Sequence, residues 1–266
     1  MEGLLSVSFG TSYEETRRKT IDAIEDDLRA AFPDLAFYSA WTSGRIIEKV
    51  KAERGEHHDT LDEAFARLTE DGIDELIVST TCLMHGGEMA KISRAADAWA
   101  QGGGRMAYLA DPLLSTAQDR KAVARAICDE FAWVPQEEAL MLMGHGSPTG
   151  PNDVYGRLQG DLHAAGRERF FVATVEGEPT FDDIFPLVQK SGAECVHLAP
   201  LMIVAGDHAT NDLAGDHDNS WAHRISASGL RANPVLKGLG EYAGIRALVC
   251  DHARDALMVR EVSLRG

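Results

Sequence analysis

Basic residues are scarce in this chain. Its 266 residues hold 26 Lys and Arg against 42 Asp and Glu, a formal net charge of -16. A phosphate backbone is held mainly by Lys and Arg, so nucleic acid and anionic membrane surfaces are poor partners. Cysteine is scarce too. Cys82, Cys128, Cys195 and Cys250 lie far apart and form no CxxC pair. That argues against structural zinc of the Cys-rich kind and against a disulfide framework. The four read as buried free thiols in a reducing cytoplasm. No run approaches the ~18–20 apolar residues that span a bilayer. The opening MEGLLSVSFGTSYEE has neither the basic start nor the apolar length of a signal peptide. A cytoplasmic protein is expected. GxGxxG and the Walker A lysine motif are both missing, so neither a nucleotide nor a redox cofactor is expected.

What is present is a repeated alternation of short apolar runs with amphipathic stretches, which indicates βα units and a parallel sheet. Strands are expected over 4–9, 35–40, 75–84, 106–114, 139–143, 170–175, 195–204 and 234–237. Helices are expected between them, with Ser12 and Glu15 at capping-box spacing before the first. The polar joint Pro135-Gln136-Glu137-Glu138 precedes a restart of the scheme. The halves echo each other: SVSFGTS matches MLMGHGSP, Gly87-Glu88-Met89-Ala90 matches Gly206-Asp207-His208-Ala209, and Asp111-Pro112 matches Asn233-Pro234. The fold class that follows is α/β, with two similar Rossmann- or flavodoxin-like parallel-sheet domains related by a pseudo-twofold and a cleft between them. Domains are expected over 1–130 and 131–266, the closing helix packing back on the first.

Two histidines end two apolar runs: ALMLMGHGS carries His145, and HLAPLMIVAGDHATND carries His208. Between them FFVATVEGE presents Glu176. In open α/β sheets ligands bind outside the carboxyl ends of the strands. Imidazole and carboxylate together suit a first-row divalent cation. A lone His near a strand end is usually a hydrogen-bonded structural residue, and His197 is read that way. His145 differs because Gly flanks it on both sides, leaving the ring clear. Asp212 or Asp207 would fix the far nitrogen of His208. Glu178 competes with Glu176, and strand parity favours Glu176. Glu88 has two readings, a carboxylate at a helix start or a proton-relaying group on the opposite wall. His85 is a weaker candidate, and His57, His58 and His217 are read as solvated. SFGTS and TSGR open helices whose backbone N–H groups hold anions.

The segments SVSFGTSY, WTSGRIIEKV, GGEMAKI, MGHGS, VEGEP and APLMIVAGDHATND occur in order along almost the whole chain. With them the chain resembles the cobaltochelatases of the anaerobic cobalamin pathway, class II chelatases alongside the ferrochelatases. The resemblance implies insertion of a divalent metal, mainly cobalt, into sirohydrochlorin or precorrin-2. It implies His145, Glu176 and His208 as ligands, with His145 and Glu88 catalytic. The first domain becomes a substrate wall and the second the metal wall. The chain departs from the pattern at Thr81-Cys82-Leu83-Met84-His85. A tetrapyrrole bearing carboxylates would need local donors in so acidic a chain: helix-start N–H groups, Ser8, Thr11, Ser12, Ser43 and Arg45. A homo-oligomer is compatible with this reading. The alternatives are a chelatase for iron or nickel, a metal-dependent hydrolase, or a metal or tetrapyrrole carrier without turnover.

Overall fold

The structure, a computed structural model, describes residues 1–148 and 150–263. It contains two four-stranded parallel sheets. The first has the order β2-β1-β3-β4 and the second β6-β5-β7-β8, so the same winding occurs twice. The strands are β1 (Glu2–Ser8), β2 (Ala36–Trp41), β3 (Glu75–Thr80), β4 (Met106–Leu109), β5 (Ala139–Gly144), β6 (Phe170–Thr174), β7 (Cys195–Leu201) and β8 (Arg231–Pro234). Each expected strand is present, while several end earlier. The last is displaced: it runs over Arg231–Pro234 rather than 234–237. Pro234 lacks an N–H and can only close a strand on this edge.

The chain divides into two compact units: Met1–Ser115 with the described chain from Arg246 onward, and Thr116–Ile245. In the first unit, Leu5, Val7 and Val78 pack with Ala64, Phe65 and Leu68 of α4 (Leu61–Glu70) and Ile92 of α5 (Gly87–Ala100). Arg246 of α10 (Ala243–Ser263) pairs with Asp27 at 2.7 Å, and His252 meets the Asp111 carbonyl at 2.8 Å. In the second unit, Met141, Met143, Val196 and Leu198 pack with Ile184 and Val188 of α8 (Phe181–Lys190) and Ile225 of α9 (Trp221–Ala227). There α6 (Ala117–Glu130) is tied to α7 (Asp153–Ala164) by Arg120–Asp161 at 3.1 Å. Central strands are buried on both faces, as parallel strands under helices must be. Each fully buried Leu or Val contributes about 1.5–3 kcal/mol.

Helix starts follow capping chemistry. Thr60, Thr116 and Thr180 each form a capping box with the acid three residues on. Ser12 does not cap: the N-cap of α1 (Glu14–Arg17) is Tyr13, and the Tyr13 N–H donates to Thr11 Oγ1 at 3.2 Å. A threonine hydroxyl two residues back thus closes a local turn in place of the box. From α1 the helix passes through a π-helical turn over Arg18–Asp22 into α2 (Ala23–Ala31).

Candidate metal centre

The second sheet delivers three ligand-bearing side chains to its carboxyl edge. Gly144, the last residue of β5, pairs with Thr174 of β6 and Leu201 of β7. His145 follows directly. Glu176 stands two residues beyond β6, and its N–H donates to the His145 carbonyl at 2.8 Å, prolonging the ladder past both strands. His208 comes from the turn after β7, at the entrance to a π-helical turn over Ala209–Leu213. One ligand atom from each of His145, Glu176 and His208 lies within 4.8 Å of the others. The two imidazoles sit 5.0 Å apart, centroid to centroid, at 85°. Glu178, the competitor, is not in this group.

Both rings are held by their far nitrogen. His145 Nδ1 lies 2.9 Å from the Gly146 carbonyl. His208 Nδ1 lies 2.6 Å from Asp212 Oδ2, while Asp207 accepts from Asn211 at 3.0 Å. A carbonyl and an ionised carboxylate only accept, so each Nδ1 carries the proton and each Nε2 keeps its lone pair. An outer partner of this kind orients an imidazole that binds a cation. Glycine is required at 146: φ is +76°, and a Cβ there would lie 2.7 Å from Gly177 N and 2.8 Å from Thr174 Cβ.

The residues expected to take substrate lie in the first unit. Ser8 and Thr11 are 4% and 3% exposed. Ser43 is the N-cap of α3 (Gly44–Arg54), its Oγ accepting from the Ile46 N–H at 3.4 Å, and Arg45 is exposed on that helix. Ser12 is half-buried, its carbonyl accepting from Arg54 at 3.1 Å. Among the described residues, Ser8 Oγ, Thr42 Oγ1 and Glu88 Oε2 are buried without a hydrogen-bond partner. All three stand at the carboxyl edge of the first sheet: Ser8 ends β1, Thr42 follows β2, and Glu88 opens the helix after β3. Unsatisfied buried groups are rare and call for an explanation. Lys91, three residues past Glu88, donates to the Thr42 carbonyl at 2.5 Å. Thr42 and Lys91 lie within TSGR and GGEMAKI, and the sequence alone does not single them out.

The Thr81-Cys82-Leu83-Met84-His85 loop that leads to Glu88 carries both sulfur and polar groups. Burial pushes the Cys82 thiol up to about 11, against a hydrogen bond from Thr80 and with the Glu88 charge adding to the rise. His85 is exposed, with Ser115 Oγ at 3.0 Å. Of the histidines read as solvated, His57 and His217 are exposed. His58 is not: its ring stacks on Trp41 at 3.6 Å and 9°. The aromatic neighbour comes from a distant strand end, which local polarity did not reveal. His197 is 4% exposed and hydrogen-bonded to Glu138 and Asn233.

The pattern of the family described as "Cobalt chelatase (CbiK)" matches residues 2–258. The chain belongs to the cobalt chelatase (CbiK) family. Among curated relatives of this cobalt chelatase family chain, it is 37% identical to "Sirohydrochlorin cobaltochelatase" of Salmonella typhimurium, over 96% of each chain. It is 29% identical to "Sirohydrochlorin cobaltochelatase CbiKC" of Nitratidesulfovibrio vulgaris, over 96% of this chain and 90% of that one. Among solved structures it is similar to SirB from Bacillus subtilis with Fe3+, at TM-score 0.65 and 13% identity, over 96% and 95% of the chains. It is also similar to CbiX, described as the terminal enzyme for siroheme biosynthesis in denitrifying bacteria, at TM-score 0.55 and 16% identity, over 96% and 99%. These two likenesses concern the fold. Among the described residues no helix is long and apolar enough to cross a membrane.

Proposed function

We propose that this cobalt chelatase family member inserts Co²⁺ into sirohydrochlorin, with His145, Glu176 and His208 holding the ion as substrate. The observation that carries this is the convergence of the three side chains within 4.8 Å, both imidazoles tethered by Nδ1. Two neutral imidazoles and a carboxylate match cobalt's ligand preference. Three protein ligands leave positions open for water and then for pyrrole nitrogens, so the ion is held but not caged. As Co²⁺ enters the macrocycle two pyrrole N–H protons must leave. The imidazole released from the metal can accept one of them through its freed Nε2. Glu88 is assigned the second, because its Oε2 is buried without a partner. The Thr116–Ile245 unit would carry the metal. Ser8, Thr11, Ser12, Ser43 and Arg45 of the Met1–Ser115 unit would take the substrate's carboxylates, with Thr42 and Lys91 added to them. The buried, unpartnered Ser8 and Thr42 hydroxyls support that assignment.

The deciding experiment follows absorbance with purified protein, sirohydrochlorin and Co²⁺, then Ni²⁺ and Fe²⁺. Turnover with Co²⁺ is expected. Tight binding without turnover of any metal would make the protein a carrier. In the same assay His145→Ala should lower turnover ~10²–10⁴-fold, the usual loss for a general base. Tetrapyrrole affinity, read by fluorescence quenching, should change far less. Equal turnover would remove His145 from the mechanism.

A further inference from the structure

A second group of ligand-bearing side chains lies at the other end of the second sheet. Glu138 directly precedes β5, Cys195 opens β7, and His197 follows two residues on. Parallel strands place these at the amino edge, opposite His145. Cys195 and His197 share a face by the two-residue period. The register sets Arg231 and Asn233 of β8 beside them. Cys195 and His197 are 2% and 4% exposed, and Glu138 borders a surface cleft lined by Pro135, Gln136, Arg167 and Arg169.

The arrangement converges on one point. Glu138 Oε2 lies 2.6 Å and Cys195 Sγ 3.9 Å from the same ring nitrogen, His197 Nε2. The far nitrogen, Nδ1, meets the Asn233 amide at 2.8 Å. A nucleophilic triad would put the acid on the far nitrogen and the thiol on the near one, passing a proton through the ring. Here acid and thiol face the same nitrogen, which suits a cation in their midst. Arg231 donates to the other Glu138 oxygen at 3.0 Å and stands beside Cys195 in the strand register.

We propose that Glu138, Cys195 and His197 form a second cation site, for a divalent ion of the Zn²⁺ or Co²⁺ class, separate from the His145 centre. Thiolate, imidazole and carboxylate are the donors such ions take, at about 2.3 Å for sulfur and 2.0–2.2 Å for nitrogen and oxygen. Those lengths need donors ~3.3–3.6 Å apart, so the Glu138–His197 pair opens slightly and the thiol closes slightly. The protons balance. Cys195 loses its thiol proton to solvent, and the imidazole proton moves to Nδ1, where a half-turned Asn233 amide accepts it through Oδ1. One proton is released per ion.

The test uses the full chain carrying His145→Ala and His208→Ala, reduced and titrated with Co²⁺. A near-ultraviolet thiolate-to-cobalt charge-transfer band is expected, saturating at one equivalent. The His145 centre contains no sulfur and produces no such band. Adding Cys195→Ser should abolish the band. Adding Glu138→Gln, at a partly exposed position that tolerates change, should keep the band but weaken Co²⁺ affinity at least ~10-fold. No band in a folded His145→Ala/His208→Ala protein would overturn the proposal. So would an unchanged band after Cys195→Ser, or unchanged affinity after Glu138→Gln.

Discussion

His208 Nδ1 lies 2.6 Å from Asp212 Oδ2, four residues on. Asp212 is 41% exposed, so the pair adds little to folding. Its consequence is for a bound ion: the carboxylate would fix the tautomer and orientation of the ring. Asp212→Ala should weaken Co²⁺ binding ~10–100-fold, the usual loss for an outer partner of a metal-bound imidazole. Calorimetric titration reads the affinity, and an unchanged thermal midpoint confirms that only the site was affected. Undiminished affinity would mean that His208 needs no orienting partner.

Gly146 is the position where backbone conformation and site are most tightly joined. An added methyl would sit in the left-handed region, 2.7 Å from Gly177 N and 2.8 Å from Thr174 Cβ. Strain of ~1–2 kcal/mol and overpacking of ~1–3 kcal/mol act together. Gly146→Ala should therefore lower stability by a few kcal/mol and loosen Co²⁺, because the Gly146 carbonyl holds His145 Nδ1. Gly160→Ala is the control: it lies within α7 with nothing within 4 Å of the added carbon, and should stabilise by up to ~1 kcal/mol. Denaturant titration of both variants decides the matter, and equal effects would refute the backbone argument.

The convergence of His145, Glu176 and His208 was legible because parallel strands end abruptly, and their ends show as glycine after an apolar run. His145, Glu176 and His208 follow from that pattern and the common edge it implies. What stayed hidden depends on contacts distant in sequence. Thr42 looks like any turn hydroxyl until the fold buries it beyond the end of β2. His58 looks solvated until Trp41 covers it. Ser12 has the spacing of a cap, yet Thr11 Oγ1 takes the nearby N–H. The π-helical turn after His208 leaves no mark in composition.

Glu25 carries a stability prediction tied to pH. Burial raises its carboxyl from 4.5 to about 7 despite Arg29 at 3.2 Å. The folded state therefore binds more protons than the unfolded one between these values. Stability falls as pH rises through that window, by an order-of-magnitude upper bound of ~3 kcal/mol. Glu25→Gln removes the titrating group and should flatten this part of the profile. Denaturation midpoints at pH 5 and pH 8 measure it. An identical slope in wild type and variant would show that other groups set the dependence.

Ser8 and Thr42 separate stability from function most sharply. Their hydroxyls are 4% and 6% exposed residues' only side-chain polar atoms, and both lack a partner. A buried unsatisfied hydroxyl carries a desolvation penalty of ~1–3 kcal/mol. Removing it should leave the protein as stable or more so, opposite to the usual effect of a core substitution. Thr42→Val is nearly isosteric, and Ser8→Ala deletes one atom. If these hydroxyls instead await a substrate carboxylate, each donates a hydrogen bond to a charged group, ~1.5–3 kcal/mol. Losing one should weaken sirohydrochlorin binding ~10–100-fold. The saturated rate should change less, because the hydroxyls would act at the periphery and not on the central nitrogens. Thermal unfolding and fluorescence quenching on the same samples read both quantities. Weaker binding with undiminished stability assigns the pair to the substrate. Lower stability with unchanged binding would make them structural and leave the carboxylates to other donors.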